Sequence, residues 1–300
     1  MGAQADPFDR IPKVELHCHV EGTVRPQTVL ELAAKAGRPL PAANPADLYA
    51  YDSLDSFLSI FWLVQETLIS REDWSRVAYE SLMDGTAHGL RYREMFFTPA
   101  RHLAGGQDLG TIVSGLTEGI EAAEAEAPVR CFLIADIDRA FGPPAGLALV
   151  EGIADLRRAG EAVGCGPSNI EIALDVLGAE RIDHGVALPE DPALLARVAT
   201  EGIPLTVCPT SNVVIANRFR SLADHPLLDL YRAGVRVTIN TDDPAMLQWD
   251  LGREYAAVGE AYGLDIAAMG EMTIDGIDST WLDEPDRRSL RTEFRAALIG

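Results

Sequence analysis

The sequence predicts a single α/β domain with a parallel sheet. Apolar runs typical of strands alternate with helical patterns along the chain, and no linker-like or repetitive segment divides it. The 300 residues are enough for a barrel of alternating strands and helices, which needs about 250. We therefore predict one domain over residues 1–300, of the TIM-type (β/α)8-barrel class.

The predicted strands fall short of a complete barrel. Short apolar or alternating runs bounded by turn residues mark six candidates, at 14–20, 91–97, 129–137, 181–184, 203–208 and 234–240. The run at 129–137 is continuously apolar, as in sheets buried on both faces. Because a closed barrel of this class has eight strands, the sequence leaves open whether the barrel is complete.

Helical patterns fill the segments between the strands. Pro26 opens the first helix, which ends near Gly37, and Ser70 with Asp73 resembles a capping box. The further helices are predicted at about 52–69, 71–88, 108–125, 143–158, 167–177, 192–201, 224–233, 249–261 and from 285 to the end.

Composition excludes several classes of partner. The net charge of −21 argues against nucleic acid and anionic membranes, which both require clustered positive charge. No apolar run reaches the ~20 residues of a membrane span, and the first residues do not resemble a secretory signal, so we expect a cytoplasmic protein. The four cysteines, at 18, 131, 165 and 208, are widely spread and are predicted to be reduced thiols.

Two histidines stand at the end of the first strand. His17 and His19 are two residues apart, so in a strand both face the same side. Two adjacent imidazoles form half of a transition-metal site. The alternative is a pair of polar residues on the solvated face of an edge strand, and the short spacing alone does not decide between them.

Other strand ends carry polar groups as well. In a parallel barrel the carboxyl ends of the strands hold the chemistry. Polar turns explain Asn, Ser and Thr at such ends, but they explain His184 and the adjacent Asp242 and Asp243 less well. Two neighbouring carboxylates repel each other, and a metal or another cation tends to hold one of them ionised. Two histidines and Asp242 with an open position favour catalytic rather than structural zinc. The histidines at 88, 102 and 225 are predicted to be structural or at the surface.

Four motifs together resemble the adenosine deaminase family of metal-dependent barrel aminohydrolases. They are Val14-Glu-Leu-His-Cys-His-Val-Glu-Gly-Thr23, Arg181-Ile-Asp-His-Gly185, Val207-Cys-Pro-Thr-Ser-Asn212 and Thr238-Ile-Asn-Thr-Asp-Asp-Pro244. They occur in the family's order and span nearly the whole chain. The first is similar to the bacterial branch, whose members deaminate adenosine, adenine or aminodeoxyfutalosine.

The resemblance implies a role for each matching residue. His17, His19 and Asp242 would bind one Zn²⁺ per chain. His184 would orient the attacking hydroxide, with help from Asp242, and stabilise charge at the carbon that bears the amino group. Glu161 would protonate the ring nitrogen opposite the attack.

The resemblance also implies the substrate contacts. Asp243 would hydrogen-bond a purine ring nitrogen, and His19, Glu21 and Gly185 would line the substrate. The expected reaction is hydrolytic deamination of a 6-aminopurine, with adenosine as the default substrate and aminodeoxyfutalosine or adenine as alternatives. A non-catalytic purine-binding protein is the rival. The expected partner is a small-molecule purine, and the chain is expected to be a monomer or homodimer.

The chain departs from the family before Glu161. Arg158 stands where the family has a third histidine ligand, and arginine has no lone pair for a metal. No apolar strand lies between residues 137 and 158, so roughly 40 residues are missing, more than the ~30 of a βαβ unit. Either a segment is omitted, or it is deleted, or another segment fills the gap. The abrupt join favours a deletion or an omission relative to an active parent.

Overall fold

The parallel strands of the α/β domain are present where the sequence predicts them. A computed structural model of the protein describes residues 7–154, 167–175 and 178–299. All of the predicted strands are confirmed, and the last four are shorter than expected. The strands are β1 (Lys13–His19), β2 (Leu90–Phe97), β3 (Arg130–Ala135), β4 (Ile182–Asp183), β5 (Leu205–Val207) and β6 (Val237–Ile239).

The strands form two parallel sheets that meet at one seam. One sheet has the order β1-β2-β3 and the other β4-β5-β6. Residues beyond β6 join them to β1, because the amide of His19 donates to the carbonyl of Asp242 at 2.8 Å and Cys18 forms a parallel bridge with Asp242. The combined order is therefore β3-β2-β1-β6-β5-β4, and within the described residues β3 and β4 do not pair.

Helices connect the strands as an α/β fold requires. They are α1 (Pro26–Ala36), α2 (Pro45–Leu48), α3 (Leu54–Thr67), α4 (Arg71–Thr86), α5 (Ala100–Ala104), α6 (Leu109–Glu126), α7 (Gly142–Ala154), α8 (Pro167–Asp175), α9 (Pro192–Glu201), α10 (Pro209–Val214), α11 (Leu227–Arg232), α12 (Leu251–Tyr262), α13 (Ile266–Ile277) and α14 (Glu284–Ile299). Within the described ranges, none of the helices is long and apolar enough to cross a membrane.

The sequence pattern did not indicate α13. This helix carries Gly270 and Gly276, which have low intrinsic helix propensity. A Cβ at Gly270 would overlap Leu298 of α14, and one at Gly276 would lie 2.9 Å from Val14 of β1. The glycines therefore permit close packing of α13 against a strand and a helix, and this packing outweighs their propensity.

A buried ionic network fixes the seam from below the strand ends. Glu15 of β1 lies 2.6 Å from Arg93 of β2, and both side chains are almost fully buried. The other carboxylate oxygen of Glu15 accepts the amide hydrogen of Thr241 at 2.9 Å. Breaking such a buried pair by removing one partner costs about 3 to 5 kcal/mol. Glu15 thus ties β1 to the segment that carries Asp242.

Candidate active site

His17 and His19 face the same side of β1, as their spacing predicts. Their ring centroids lie 5.3 Å apart, and both rings pack against Phe96 of β2, at 4.5 and 5.2 Å. The side chain of His17 is 2% exposed and that of His19 is 18% exposed. The alternative of an edge strand with a solvated face is therefore wrong, because β1 is central and the pair is largely buried.

Asp242 approaches both histidines across the seam. Its Oδ1 lies 3.2 Å from Nε2 of His17 and 3.5 Å from Nε2 of His19. Its other oxygen accepts a hydrogen bond from Ser211 at 2.6 Å. The backbone of Asp242 is left-handed, with φ of 67°, a conformation that costs a non-glycine residue about 1 to 3 kcal/mol. The seam hydrogen bonds hold it in that conformation.

Asp183, at the end of β4, orients the ring of His17. The Nδ1–H of His17 donates to Oδ1 of Asp183 at 3.0 Å, and the hydroxyl of Thr206 donates to the same oxygen. With its proton on Nδ1, a neutral His17 presents the lone pair of Nε2 towards Asp242. A carboxylate that fixes a histidine in this way is typical of metal sites.

A chain of hydrogen bonds orients His184. The amide of Leu227 donates to Nδ1 of His225, so the proton of a neutral His225 is on Nε2, which lies 3.1 Å from Oδ1 of Asn212. The amide nitrogen of Asn212 lies 3.1 Å from Nδ1 of His184 and donates to it. A neutral His184 therefore carries its proton on Nε2. Its left-handed backbone, with φ of 57°, turns the residue at the end of β4.

Glu21 and Asp243 are two buried carboxyl groups beside the histidines. One oxygen of Glu21 accepts the amide hydrogen of Thr98 at 2.8 Å. The second oxygen of Glu21 and Oδ1 of Asp243 have no hydrogen-bond partner within the part of the chain that the structure describes. A Cβ on Gly22 would overlap the carboxylate of Asp243, so this position requires glycine.

The buried charges shift one another's protonation. Burial opposes the charge on His17, but Asp183 and Asp242 outweigh it and raise the pKa of His17. Burial disfavours ionised Asp242, yet His17 holds its pKa far below the usual range. Burial lowers the pKa of His184. Burial, followed by the charge of Asp242, raises the pKa of Asp243, and burial raises that of Glu21 to about 7.

The donor atoms fit a divalent metal ion. Nε2 of His17 is buried without a hydrogen-bond partner among the described residues, and its lone pair faces a carboxylate oxygen. With neutral His17, two lone pairs lie 3.2 Å apart and repel unless a cation lies between them, either a proton on His17 or a metal ion. One donor atom each from His17, His184, Cys208 and Asp242 lies within 4.8 Å of the others. Imidazole, carboxylate and thiol donors suit zinc.

Aromatic side chains of the segment after α2 adjoin the histidines. Phe61 of α3 stands edge-on to His19, with 6.2 Å between the centroids, and Phe57 and Tyr51 extend this aromatic row. The hydroxyl of Tyr51 donates to the carbonyl of Met246, which anchors the row to the segment after β6. Part of the segment at 38–88 thus packs beside the site.

Most of the predicted site residues come together, and several supporting residues were missed. His17, His19, His184 and Asp242 converge, with Glu21, Gly185 and Asp243 beside them, whereas Glu161 and Arg158 lie outside the described residues. No role was predicted for Asp183, Ser211 or Asn212, although all of them belong to motifs at strand ends. His225 is 3% exposed and supports Asn212, so it is not a surface residue.

Comparisons with known proteins place the chain in a family. The family model for adenosine deaminase matches residues 12–157 and 138–297. An adenine deaminase from Streptomyces coelicolor is 35% identical over 332 positions, which cover 97% of this chain and 97% of that protein. An aminodeoxyfutalosine deaminase from the same organism is 33% identical over 95% of this chain and 84% of that protein.

The alignment with the adenine deaminase contains gaps on this chain's side. It spans 332 positions but includes 97% of 300 residues, which is 291, so about 41 positions have no residue of this chain. The two family-model matches overlap at residues 138–157.

A solved structure shows the same fold. An amidohydrolase from Burkholderia ambifaria with bound Zn superimposes with a TM-score of 0.89 at 26% identity, covering 99% of this chain and 94% of that chain. This likeness confirms the predicted TIM-type barrel class. With the family match over both halves of the sequence, it leads to one conclusion: the chain belongs to the adenosine deaminase family of metal-dependent aminohydrolases.

Proposed function

We propose that this chain catalyses zinc-dependent hydrolytic deamination of a 6-aminopurine. The observation that carries the proposal is the convergence of His17, His19, His184 and Asp242 at the carboxyl ends of three strands. In the reaction, the oxygen of water bonds to carbon 6 of the purine, and the bond from carbon 6 to the amino nitrogen breaks. The amino group leaves as ammonia.

His17, His19 and Asp242 are the proposed zinc ligands. Asp183 keeps the proton of His17 on Nδ1, which leaves Nε2 free for the ion. Ser211 occupies one oxygen of Asp242, so the other faces both imidazoles. When bound, zinc lowers the pKa of a coordinated water to about 7 and so supplies a nucleophile at neutral pH.

His184 positions the attacking oxygen. Since Asn212 donates to Nδ1, the Nε2–H of neutral His184 is a hydrogen-bond donor. Its ring lies 4.8 Å from that of His17, centroid to centroid. A donor fixed in advance beside the ligands can hold the oxygen in line with carbon 6 and stabilise the charge that develops there.

Four further residues are proposed to act on the purine. Asp243 and Glu21 each have an unpartnered carboxyl oxygen among the described residues, suited to hydrogen bonds with ring nitrogens. Gly185 follows His184 with a left-handed backbone, where a Cβ would overlap Leu205, and it is proposed to contact the base through its backbone. Glu161, outside the described residues, is proposed to protonate the ring nitrogen opposite the attack.

Adenine is the substrate that we place first. The Streptomyces relative at 35% identity is an adenine deaminase, and the relative at 33% identity is an aminodeoxyfutalosine deaminase, which makes that compound the second candidate. Adenosine, the default from the sequence, completes the panel. The test is ammonia release from each compound with the zinc-loaded chain. Release from none of the three would contradict the proposal.

Variants separate the metal ligands from the proton donor. Asp242→Ala should lose both zinc and ammonia release. Glu161→Gln should keep zinc and lose turnover by about 10² to 10⁴-fold, the usual contribution of a positioned acid or base. Normal turnover by Glu161→Gln would show that Glu161 is not the proton donor. Calorimetric binding of adenine without ammonia release would instead favour a non-catalytic purine-binding protein.

The proposal includes an internal deletion before Glu161. About 41 positions of the adenine deaminase relative have no counterpart here, and in the family pattern Arg158 occupies a ligand position. A chimera that receives the relative's segment, together with Arg158→His, should bind zinc more tightly than the present chain. Equal zinc affinity with and without the segment would refute the deletion as the cause of a weakened site.

A further inference from the structure

Four residues bring possible metal-donor atoms close together at the site, and the proposed mechanism uses all of them except Cys208. The four are His17, His184, Cys208 and Asp242. Cys208 follows β5 directly, and its side chain is 0% exposed. Its Sγ lies within 4.8 Å of the donor atoms of His17, His184 and Asp242. The thiol donates a long hydrogen bond, of 3.8 Å, to the carbonyl of Thr206.

We propose that the thiolate of Cys208 is a zinc ligand in this chain, in addition to His17, His19 and Asp242. This inference rests on the proposed metal site and adds one donor to it. Thiolate sulfur is among the strongest ligands for zinc, and mixed nitrogen, oxygen and sulfur sets occur in catalytic sites.

A second observation points into the same space. Nε2 of His17 is buried, has no hydrogen-bond partner within the described ranges, and lies 3.2 Å from Asp242 Oδ1. Donors bound to one tetrahedral ion at about 2.0 to 2.3 Å are roughly 3.3 to 3.8 Å apart. The His17–Asp242 pair is close to this spacing already. Since Cys208 lies within 4.8 Å of the other donors and a sulfur–nitrogen spacing on zinc is about 3.5 Å, it requires a shift of no more than about 1.3 Å, within reach of side-chain rotation.

Coordination changes the protonation of the thiol and involves no redox step. Burial raises the pKa of the free Cys208 thiol, so without metal the sulfur keeps its proton. On binding, the proton leaves to solvent and a sulfur lone pair forms the bond to the ion. Catalytic zinc can expand to five ligands, so the added donor does not displace the attacking water.

Cobalt substitution reports a metal–sulfur bond directly. The purified full chain is stripped of metal with a chelator and titrated with Co²⁺ alone, and its absorption spectrum is recorded. A thiolate ligand produces an intense charge-transfer band in the near ultraviolet, which imidazole and carboxylate ligands do not produce. We expect this band to grow with bound Co²⁺ and to saturate at one ion per chain.

Variants assign the band to one sulfur. Cys208→Ser should lose the band and weaken Co²⁺ binding at least tenfold, the low end of the loss seen for even outer-shell partners. Cys131→Ser, a buried thiol on β3 away from the site, should keep both. A cobalt-loaded chain without the band overturns the inference even if Cys208→Ser does not fold, and so does a band that survives in Cys208→Ser.

The results distinguish a failure of the Cys208 ligand proposal from a failure of the proposed deaminase function. A chain that shows the band but releases no ammonia supports the Cys208 ligand and contradicts the deaminase proposal. A chain that releases ammonia but shows no band does the reverse. A chain that binds no Co²⁺ contradicts both.

Discussion

Asp183 should control metal affinity without touching the metal. Its Oδ1 accepts hydrogen bonds from His17 Nδ1, at 3.0 Å, and from Thr206, and it is 1% exposed. Loss of an outer-shell partner typically weakens metal binding 10- to 100-fold, about 1.4 to 2.8 kcal/mol. We therefore expect substitutions of Asp183 to weaken zinc binding within this range.

Two substitutions of Asp183 should weaken zinc binding to different extents. Asp183→Asn keeps an acceptor oxygen but removes the charge, and charge-assisted hydrogen bonds are roughly twice as strong as neutral ones. We expect Asp183→Asn to weaken zinc binding about tenfold. Asp183→Ala leaves the His17 Nδ1–H and the Thr206 hydroxyl unpaired, so we expect a loss near 100-fold.

A zinc competition titration against a coloured chelator measures these affinities. Asp229→Asn is the matched control, because it removes an exposed carboxylate from α11 that lies outside the site. Circular dichroism checks that each variant is folded. If folded Asp183→Ala binds zinc as tightly as the unmodified chain, Asp183 does not support the ligand His17 and the assignment of Nε2 to the metal is wrong.

Three other changes test the surroundings of the ligands. Asn212→Ala removes the partner of His184 Nδ1 and should lower kcat/KM about 10²-fold while zinc content stays constant, as measured by ammonia release and metal analysis; a loss of zinc would contradict it. Gly22→Ala pushes a methyl group into Asp243 and should lower the free energy of unfolding by about 1 to 3 kcal/mol in urea denaturation; unchanged stability would show that the site can relax. Burial raises the pKa of Glu254 to about 7 from 4.5, so the folded state holds a proton that the unfolded state loses and stability falls as pH rises through this window. Glu254→Gln should flatten that profile and be more stable at pH 8 by up to about 3 kcal/mol; a profile as steep as that of the unmodified chain would refute it.

The parts of the fold that follow local patterns were predictable. The helix over Pro192–Glu201 matches its predicted range because Asp191 caps its first turn and Gly202 ends it in a left-handed conformation. β4 and β6 are shorter than their apolar runs, because strand pairing depends on neighbours that a single run does not reveal. The helix α13 was missed because Gly270 and Gly276 lower its helix propensity, and only the fold shows the packing that outweighs this.

The site was predictable where one motif holds the chemistry and not where contacts cross motifs. His17 and His19 follow from the period of a strand. The hydrogen bonds that orient His184 could not be predicted in this way. Asn212 and His225 come from separate segments and meet only in the folded chain. Asp183 was visible beside His184, but only the structure shows that it contacts His17, 166 residues earlier in the sequence.

The strand order explains how the proposed metal ligands could persist in a chain with the proposed internal deletion. In the order β3-β2-β1-β6-β5-β4, the β1–β6 seam lies at the centre, two strands from either end. His17, His19 and Asp242 are held there by seam hydrogen bonds and by Glu15, none of which involves β3 or β4. His184 and Asp183 lie instead at the end of β4, which does not pair with β3 within the described residues. A lost segment between β3 and β4 should therefore disturb the orientation of the attacking oxygen through His184 and weaken binding of the ion through Asp183, while the contacts of the β1–β6 seam remain.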